Sequence, residues 1–240
     1  MEFFGMVVNA FPSHFEGSVV DFGSLAINGG PHDLFASRRY IGVDVAPGPN
    51  VDVVWDGSPT PLEPETFDVA MSSECFEHNS SWPSTLSDML RLVRPGGVIV
   101  ISCAGIGRPE HGTPRSDGGF SAPLLAGGTD VYYRNLSAEI LESKFGELAS
   151  NEWRYVTVEN RSHADIYMVA VKSPIDESEA KRFANLAESI TEDFSRQRRP
   201  RMRSVALRLL GDRRYSAWRG MGAAKIRGFR HRWLRGVDGA

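Results

Sequence analysis

Two short stretches of this 240-residue chain bring histidine and carboxylate together, Glu74-Cys75-Phe76-Glu77-His78 and Arg108-Pro109-Glu110-His111-Gly112. An imidazole is the side chain best matched to general-base work near neutral pH, and a neighbouring carboxylate can orient it or hold acceptor hydroxyls. His111 is the first candidate base, Glu110 its candidate helper and His78 the reserve; His14, His32, His163 and His231 have less claim. A second set lies near the start, where Val19-Val20-Asp21-Phe22-Gly23-Ser24 is followed at one βαβ spacing by Tyr40-Ile41-Gly42-Val43-Asp44-Val45. An apolar strand ending in an acid and a glycine, then a second strand ending in an acid, suits a nucleotide-like ligand. Asp21 can accept from a cationic amine, Gly23 lets backbone approach the ligand, and Asp44 can meet the two hydroxyls of a ribose. That set describes an adenosine-bearing cofactor. Taken singly, an acid ending a strand is more often a turn or a helix cap.

The glycine loop departs from the dinucleotide fingerprint G-x-G-x-x-G. It reads Gly23-Ser24-Leu25-Ala26-Ile27-Asn28-Gly29-Gly30, with one glycine at the tight turn and no lysine to complete a phosphate cradle.

The elements that must position these residues alternate in type. Ser18 to Gly23, Arg39 to Asp44, Val51 to Trp55 and Phe67 to Ser72 read as strands, and Pro83 to Val93 as a helix stopped by Arg94-Pro95-Gly96-Gly97. Val98 to Cys103 is apolar on both faces, as at the centre of a parallel sheet. A helix from Ser137 to Phe145 and strands from Trp153 to Glu159 and Ile166 to Lys172 complete the sheet. The stretch from Ala104 to Tyr133, rich in Gly, Pro and Ser, is too long for a mere connection and reads as an acceptor-binding or lid loop. Only about 17 residues precede the first strand, so no N-terminal helical lid is expected.

Composition is ordinary for a globular chain, with 41% hydrophobic and 24% charged residues. Two domains follow: a core over 1–173, holding the 104–133 loop, and a helical, Arg-rich extension over 174–240. From Arg196 to Ala240 there are 14 Lys and Arg against two acids, while the preceding 195 residues carry 13 Lys and Arg against 28 acids. Such a tail can dock on the acidic body, within one chain or across a homodimer, or on an anionic surface such as a membrane or nucleic acid. Cys75 and Cys103 read as buried, reduced thiols. No basic-then-apolar leader and no apolar run of membrane-spanning length is present, so a cytoplasmic location is expected.

Val20-Asp21-Phe22-Gly23-Ser24, Gly42-Val43-Asp44, Phe67-Asp68-Val69-Ala70, Glu74 to His78 and Leu92 to Gly97 follow one another in an order and spacing that resembles the class I S-adenosylmethionine-dependent methyltransferases, over about residues 15 to 172. The loose glycine loop and Tyr-x-Gly-Val-Asp-x-x-Pro-Gly-Pro are similar to a subgroup associated with sugar and polysaccharide O-methylation. The resemblance implies a Rossmann-like seven-stranded sheet, its last strand antiparallel, with helices on both faces. It implies that Asp21 and Gly23 face the methionine part of S-adenosyl-L-methionine and that Ser24 and Asn28 line the loop. Asp44, with Val45 beside it, would take the ribose; Asp56 would approach the adenine amine; Ser73 and Glu74 would pass beneath the cofactor.

The expected activity is methyl transfer to a hydroxyl of a sugar, glycoside or oligosaccharide, with His111 taking the proton. A different small metabolite or natural product is the alternative acceptor, and a nucleic-acid-associated methyltransferase using the basic tail is the second. Ser72-Ser73-Glu74-Cys75-Phe76 lacks the Asn/Asp-Pro-Pro-aromatic turn usual for methylation of base amines. Trp82, Phe120, Tyr132 and Tyr133 are available as platforms for a sugar ring. Mg2+ could hold vicinal hydroxyls through Glu74, Glu77, Glu110, Asp117 or Asp130, but these show no ligand spacing, so a metal stays open.

Overall fold

The computed structural model describes residues 1–27, 29–55, 57, 59–116, 122–127, 132–198 and 200–235, with side chains described to residue 222. The apolar runs form seven strands, β1 Ser18–Phe22, β2 Arg39–Asp44, β3 Val53–Val54, β4 Phe67–Ser73, β5 Val93–Ala104, β6 Trp153–Asn160 and β7 Asp165–Lys172. They make one sheet in the order β3-β2-β1-β4-β5-β7-β6. β1 to β5 run parallel, and β7 is antiparallel to both β5 and β6. β1 is buried along Val19 to Phe22 and β5 along Gly97 to Ala104, because both faces are covered.

The helices that cover them are α1 Glu2–Ala10, α2 Pro12–Phe15, α3 Trp82–Leu92, α4 Ala122–Leu125, α5 Ala138–Leu148, α6 Glu177–Ile190 and α7 Arg201–Arg235. Leu86, Met89 and Leu92 of α3 and Leu141 and Phe145 of α5 pack on one face, against Val20, Phe22, Ile99, Ile101 and Met168. Phe3, Phe4 and Val7 of α1 and Phe183, Leu186 and Ile190 of α6 pack on the other, against Val19, Val69, Met71, Val98 and Val169. Fully burying an aliphatic or aromatic side chain contributes roughly 1.5–3 kcal/mol, so these two clusters hold the sheet between them.

Three features differ from the sequence expectation. The first residues do form a helix, and Phe3, Phe4, Val7 and Phe11 recur at helical spacing, but their side chains are core and not a lid. α6, placed by the sequence in the extension, shares the core of the sheet, so the 173 boundary does not mark where the packed core ends. Between β1 and β2 the described residues hold only a single 3-10 turn, Pro31–Leu34, in place of a crossover helix. Among the described residues the cofactor-side loop therefore has no helix N-terminus to lend it a dipole. Its described polar contacts are backbone pairs, among them the Gly23 amide to the Val43 carbonyl at 2.8 Å and the Ala26 amide to the Pro49 carbonyl at 3.1 Å, joined by the Leu25 amide on Asp44.

The proline-glycine turn after α3 begins β5 directly. Val93 already pairs with Phe67, and a bulge between Phe67 and Val69 absorbs Arg94 to Gly97. Asp68 anchors this corner. Its carboxylate accepts from Arg94 Nε at 2.8 Å and Nη2 at 2.6 Å, and from the Ser18 amide at 2.7 Å and hydroxyl at 2.6 Å.

Candidate active site

Parallel strands that leave the sheet at one end put their last residues around a common crevice, the usual ligand position in such folds. Here the crevice is a cavity of about 560 Å³ whose lining includes Asp21, Ser24, Asp44, Val45, Ser73 and Glu74. Gly23 is required at its floor, since its φ is +85° and a Cβ there would lie 2.6 Å from Cys75 Cβ. Gly42 is required too: a Cβ would stand 1.7 Å from the Asn50 carbonyl oxygen and 2.6 Å from Ser24 Oγ. Asn28 and Asp56, the remaining expected contacts, lie outside the described residues.

Asp21 is buried, with Oδ2 accepting from the Tyr40 hydroxyl at 2.7 Å and Oδ1 accepting no hydrogen bond. Burial pushes its carboxyl up to about 7, with Tyr40 opposing and Asp44 adding to the rise. Asp44 accepts from the amides of Leu25 at 3.0 Å and Val45 at 2.7 Å, so it ties the glycine loop to the end of β2. Ser24 Oγ is buried with no partner. Two unpartnered buried oxygens, an acid able to meet a cationic amine and a wall no Cβ could enter fit the amino-acid end of the expected cofactor.

On the other side of the cavity the 3-10 turn Phe76–His78 delivers Glu77 and His78, and the loop after β5 delivers His111. Glu77 is fully buried, and His111 Nε2 lies 3.6 Å from its Oε1. His111 Nδ1 stands 3.1 Å from the Pro109 carbonyl and 3.2 Å from the Tyr133 hydroxyl. The rings of His78, His111 and Tyr133 meet edge to face, with centroids 5.0 to 5.2 Å apart. Burial would lower His111, but the Glu77 carboxylate outweighs it and holds the imidazole above its ordinary value. Burial lowers His78 despite Glu77. Glu77 itself, for all its burial, is held below the carboxylate range by His111 and His78.

The structure corrects the role expected of Glu110. Its buried carboxylate accepts from Thr113 Oγ1 at 2.6 Å and Arg115 Nε at 3.0 Å and so organises its own loop. Glu77 is the acid beside His111. Trp82 is also no platform, being buried and stacked on Phe76. Tyr132 lines the cavity, whereas Phe120, Asp117 and Asp130 lie outside the described residues. Glu74 faces Arg108 Nη2 at 3.6 Å, and burial and Glu77 raise it to about 8 with Arg108 opposing. Arg108, held to Asp165 at 2.6 Å, is a site residue the sequence does not mark, and Tyr133, expected as a ring platform, stands instead beside His111. Their loop positions carry no local signal; Asp165 at the start of β7 and the contact of Tyr133 with His111 bring them in.

The tail begins near this loop. Asp212 Oδ1 accepts from the Gly107 amide at 2.7 Å and from Asn135 Nδ2 at 3.1 Å, and the Glu110 amide donates to the Ser216 carbonyl at 3.1 Å. α7 is kinked at Gly211, where φ is +71°. The contacts thus use the tail's acid, its backbone and the Arg203 guanidinium, which donates to the Ser162 carbonyl at 2.9 Å; the ion pair of a tail arginine seen among the described residues is Arg196 to Glu192, at 3.1 Å within one helix turn. Phe229, Trp233 and Arg199 are outside the described side chains. No helix among the described residues is long and apolar enough to cross a membrane.

A seven-stranded sheet of this order, with its last strand antiparallel, is a Rossmann-like methyltransferase fold, and here Asp21 and Asp44, at or near the ends of β1 and β2, line one cavity. Residues 28–101 match a family model described as a methyltransferase domain, a span from β2 through most of β5. No curated protein matches the chain. Among solved structures it is similar to an S-adenosylmethionine-dependent methyltransferase from Mesorhizobium loti, at 16% identity over 69% of this chain and 96% of that one, with a TM-score of 0.47. It is also similar to the 1,6-didemethyltoxoflavin N1-methyltransferase of Burkholderia thailandensis, at 18% identity over 71% and 77%, with a TM-score of 0.46. The sheet order carries the fold, and the matched segment carries the likeness to a methyltransferase domain.

Proposed function

We propose that the protein transfers the methyl group of S-adenosyl-L-methionine to a hydroxyl, and that the acceptor is a sugar, glycoside or oligosaccharide. The observation that carries the hydroxyl is the Glu77–His111 pair, set at the rim of the cavity that holds Asp21 and Asp44. A sulfonium methyl moves by in-line displacement, so the protein must align the acceptor and, for a hydroxyl, see its proton removed. Asp21 would hold the cofactor's amine and Asp44 its ribose, which turns the methyl toward the histidine side. His111 would then take the proton while Glu77 stabilises the imidazolium. A ring nitrogen such as the one methylated by the Burkholderia enzyme could attack through its own lone pair and would leave this pair without a task. Tyr132 on the cavity wall, and the polar loop around it, favour a sugar over a flat apolar ring.

The test is methyl transfer from labelled donor over a panel of glycosides, small phenols and nucleic acid. His111→Ala and His111→Asn should lower turnover on a glycoside by roughly 10²–10⁴-fold while cofactor affinity stays within about twofold. Transfer to amines or nucleic acid alone, or undiminished turnover in both variants, would reject the reading.

A further inference from the structure

Glu77, His78 and His111 each offer a ligand atom, and these atoms lie within 4.8 Å of one another. Glu77 has no exposed surface and neither carboxylate oxygen accepts a hydrogen bond; His78 Nδ1 is likewise buried without a partner. A bare carboxylate in such a place is costly unless a positive charge faces it. The tautomer sharpens the point. If His111 Nδ1 carries the hydrogen that meets the Pro109 carbonyl at 3.1 Å, its Nε2 presents a lone pair to Glu77 Oε1 at 3.6 Å. A proton or a metal cation must lie between them, and the unpartnered His78 Nδ1 alongside provides the third ligand that only a metal would use. The orienting contact to a backbone carbonyl is also how metal-bound imidazoles are commonly held.

We infer that Glu77, His78 and His111 bind one divalent first-row cation, of the Mn2+ or Zn2+ type, at the acceptor side of the cavity. Two imidazoles and one carboxylate leave positions open for acceptor oxygens and suit these ions better than magnesium, which prefers an all-oxygen shell. The donor set therefore departs from the Mg2+ that the acids alone suggested. Glu74, facing Arg108, is not needed as a ligand. A hydroxyl bound to the cation would release its proton more readily, to water, and its oxygen pair would form the new C–O bond as the S–CH3 bond breaks. In the loaded protein His111 is then a ligand, and the cation takes over the task that the Glu77–His111 pair performs alone.

The inference rests on the cluster and not on the sugar acceptor, so the two can fail separately. The full chain, stripped with chelator, is titrated with Mn2+ and free ion followed by its paramagnetic resonance signal; Co2+ is added in parallel and its visible spectrum recorded. One Mn2+ should bind per chain, and Co2+ should show the absorption of a site containing nitrogen ligands. Glu77→Gln, His78→Asn and His111→Asn should each weaken Mn2+ at least tenfold, while His163→Asn leaves it unchanged. S-adenosylhomocysteine binding by each variant certifies that it is folded; because Glu77 is fully buried, the two histidine variants keep the test valid if Glu77→Gln does not fold. Absence of stoichiometric Mn2+ binding, or binding indifferent to both histidine substitutions, overturns the cation site. If transfer to glycosides then persists without metal and still needs His111, the base reading survives. Tight Mn2+ binding with no methylation of any hydroxyl would leave the site standing and reject the acceptor instead.

Discussion

Asp21→Asn should make the protein more stable and unable to hold its cofactor. Burial places the Asp21 carboxyl at about 7, against an ordinary value of 3.8. At about 1.4 kcal/mol per pH unit, holding that group ionised above pH 7 costs roughly 4 kcal/mol of folding stability. The sign follows from the raised value in the folded state. The cost is absent below about pH 4, where the group is protonated folded and unfolded alike, grows as pH rises, and levels off above about 7. Asparagine removes the charge and can still accept from the Tyr40 hydroxyl, so the variant should gain as much as ~4 kcal/mol at pH 8 and little at pH 4. On the proposed cofactor pose, a cationic amine placed against Oδ1 ionises this acid. S-adenosylhomocysteine binding should therefore release about half a proton near pH 7, and affinity should fall up to about tenfold per unit as pH drops below 7. Calorimetry in two buffers of different ionisation enthalpy measures the proton count, and repeating it on His78→Asn and His111→Asn removes the contribution of those imidazoles. Denaturant melts at pH 4 and 8 measure the stability half. Cofactor affinity that is flat from about pH 5.5 to 8, or a variant no more stable than the parent at pH 8, would refute the reasoning.

Gly42→Ala must push a methyl into the Asn50 carbonyl, so it should cost roughly 1–3 kcal/mol and weaken S-adenosylhomocysteine through Ser24; an unchanged melt and unchanged affinity would contradict the packing. Burial opposes ionisation of Asp68, yet Ser18 and the Arg94 guanidinium outweigh it and hold the carboxyl below its ordinary range. Its stabilisation is thus present above that ordinary range and is lost as pH falls through the lowered value, and Asp68→Asn should cost about 1–2 kcal/mol at pH 7, screened by solvent, with the difference closing as pH falls through that value. Denaturant midpoints across that range check it. Asp212→Ala removes the acceptor for Gly107 and Asn135, so limited proteolysis within residues 201–222 should quicken about tenfold while the sheet resists as before. Equal cleavage would show that other contacts seat the helix.

Period and punctuation in the sequence were enough for the strands, because an apolar run between turn residues has few other uses in a chain of this length. They were also enough to bring Asp21, Gly23 and Asp44 to one cavity, since residues at a parallel strand's end reach the crevice wherever its neighbours lie. β5 and the bulge after α3 were less legible, because the pairing of Val93 with Phe67 depends on the Asp68 anchor from a different strand. Glu110 and Glu77 show where local reading ends. Sequence adjacency put Glu110 beside His111, and the chain turned it instead toward Thr113 and Arg115. Glu77, 34 positions away, arrives because β4 and β5 are neighbours in the sheet and their following turns converge. Which residues end strands was determined by the sequence alone; which of them share a buried cluster, and with what charge between them, only the tertiary structure decided, because proximity across strands is set by sheet order and not by spacing along the chain.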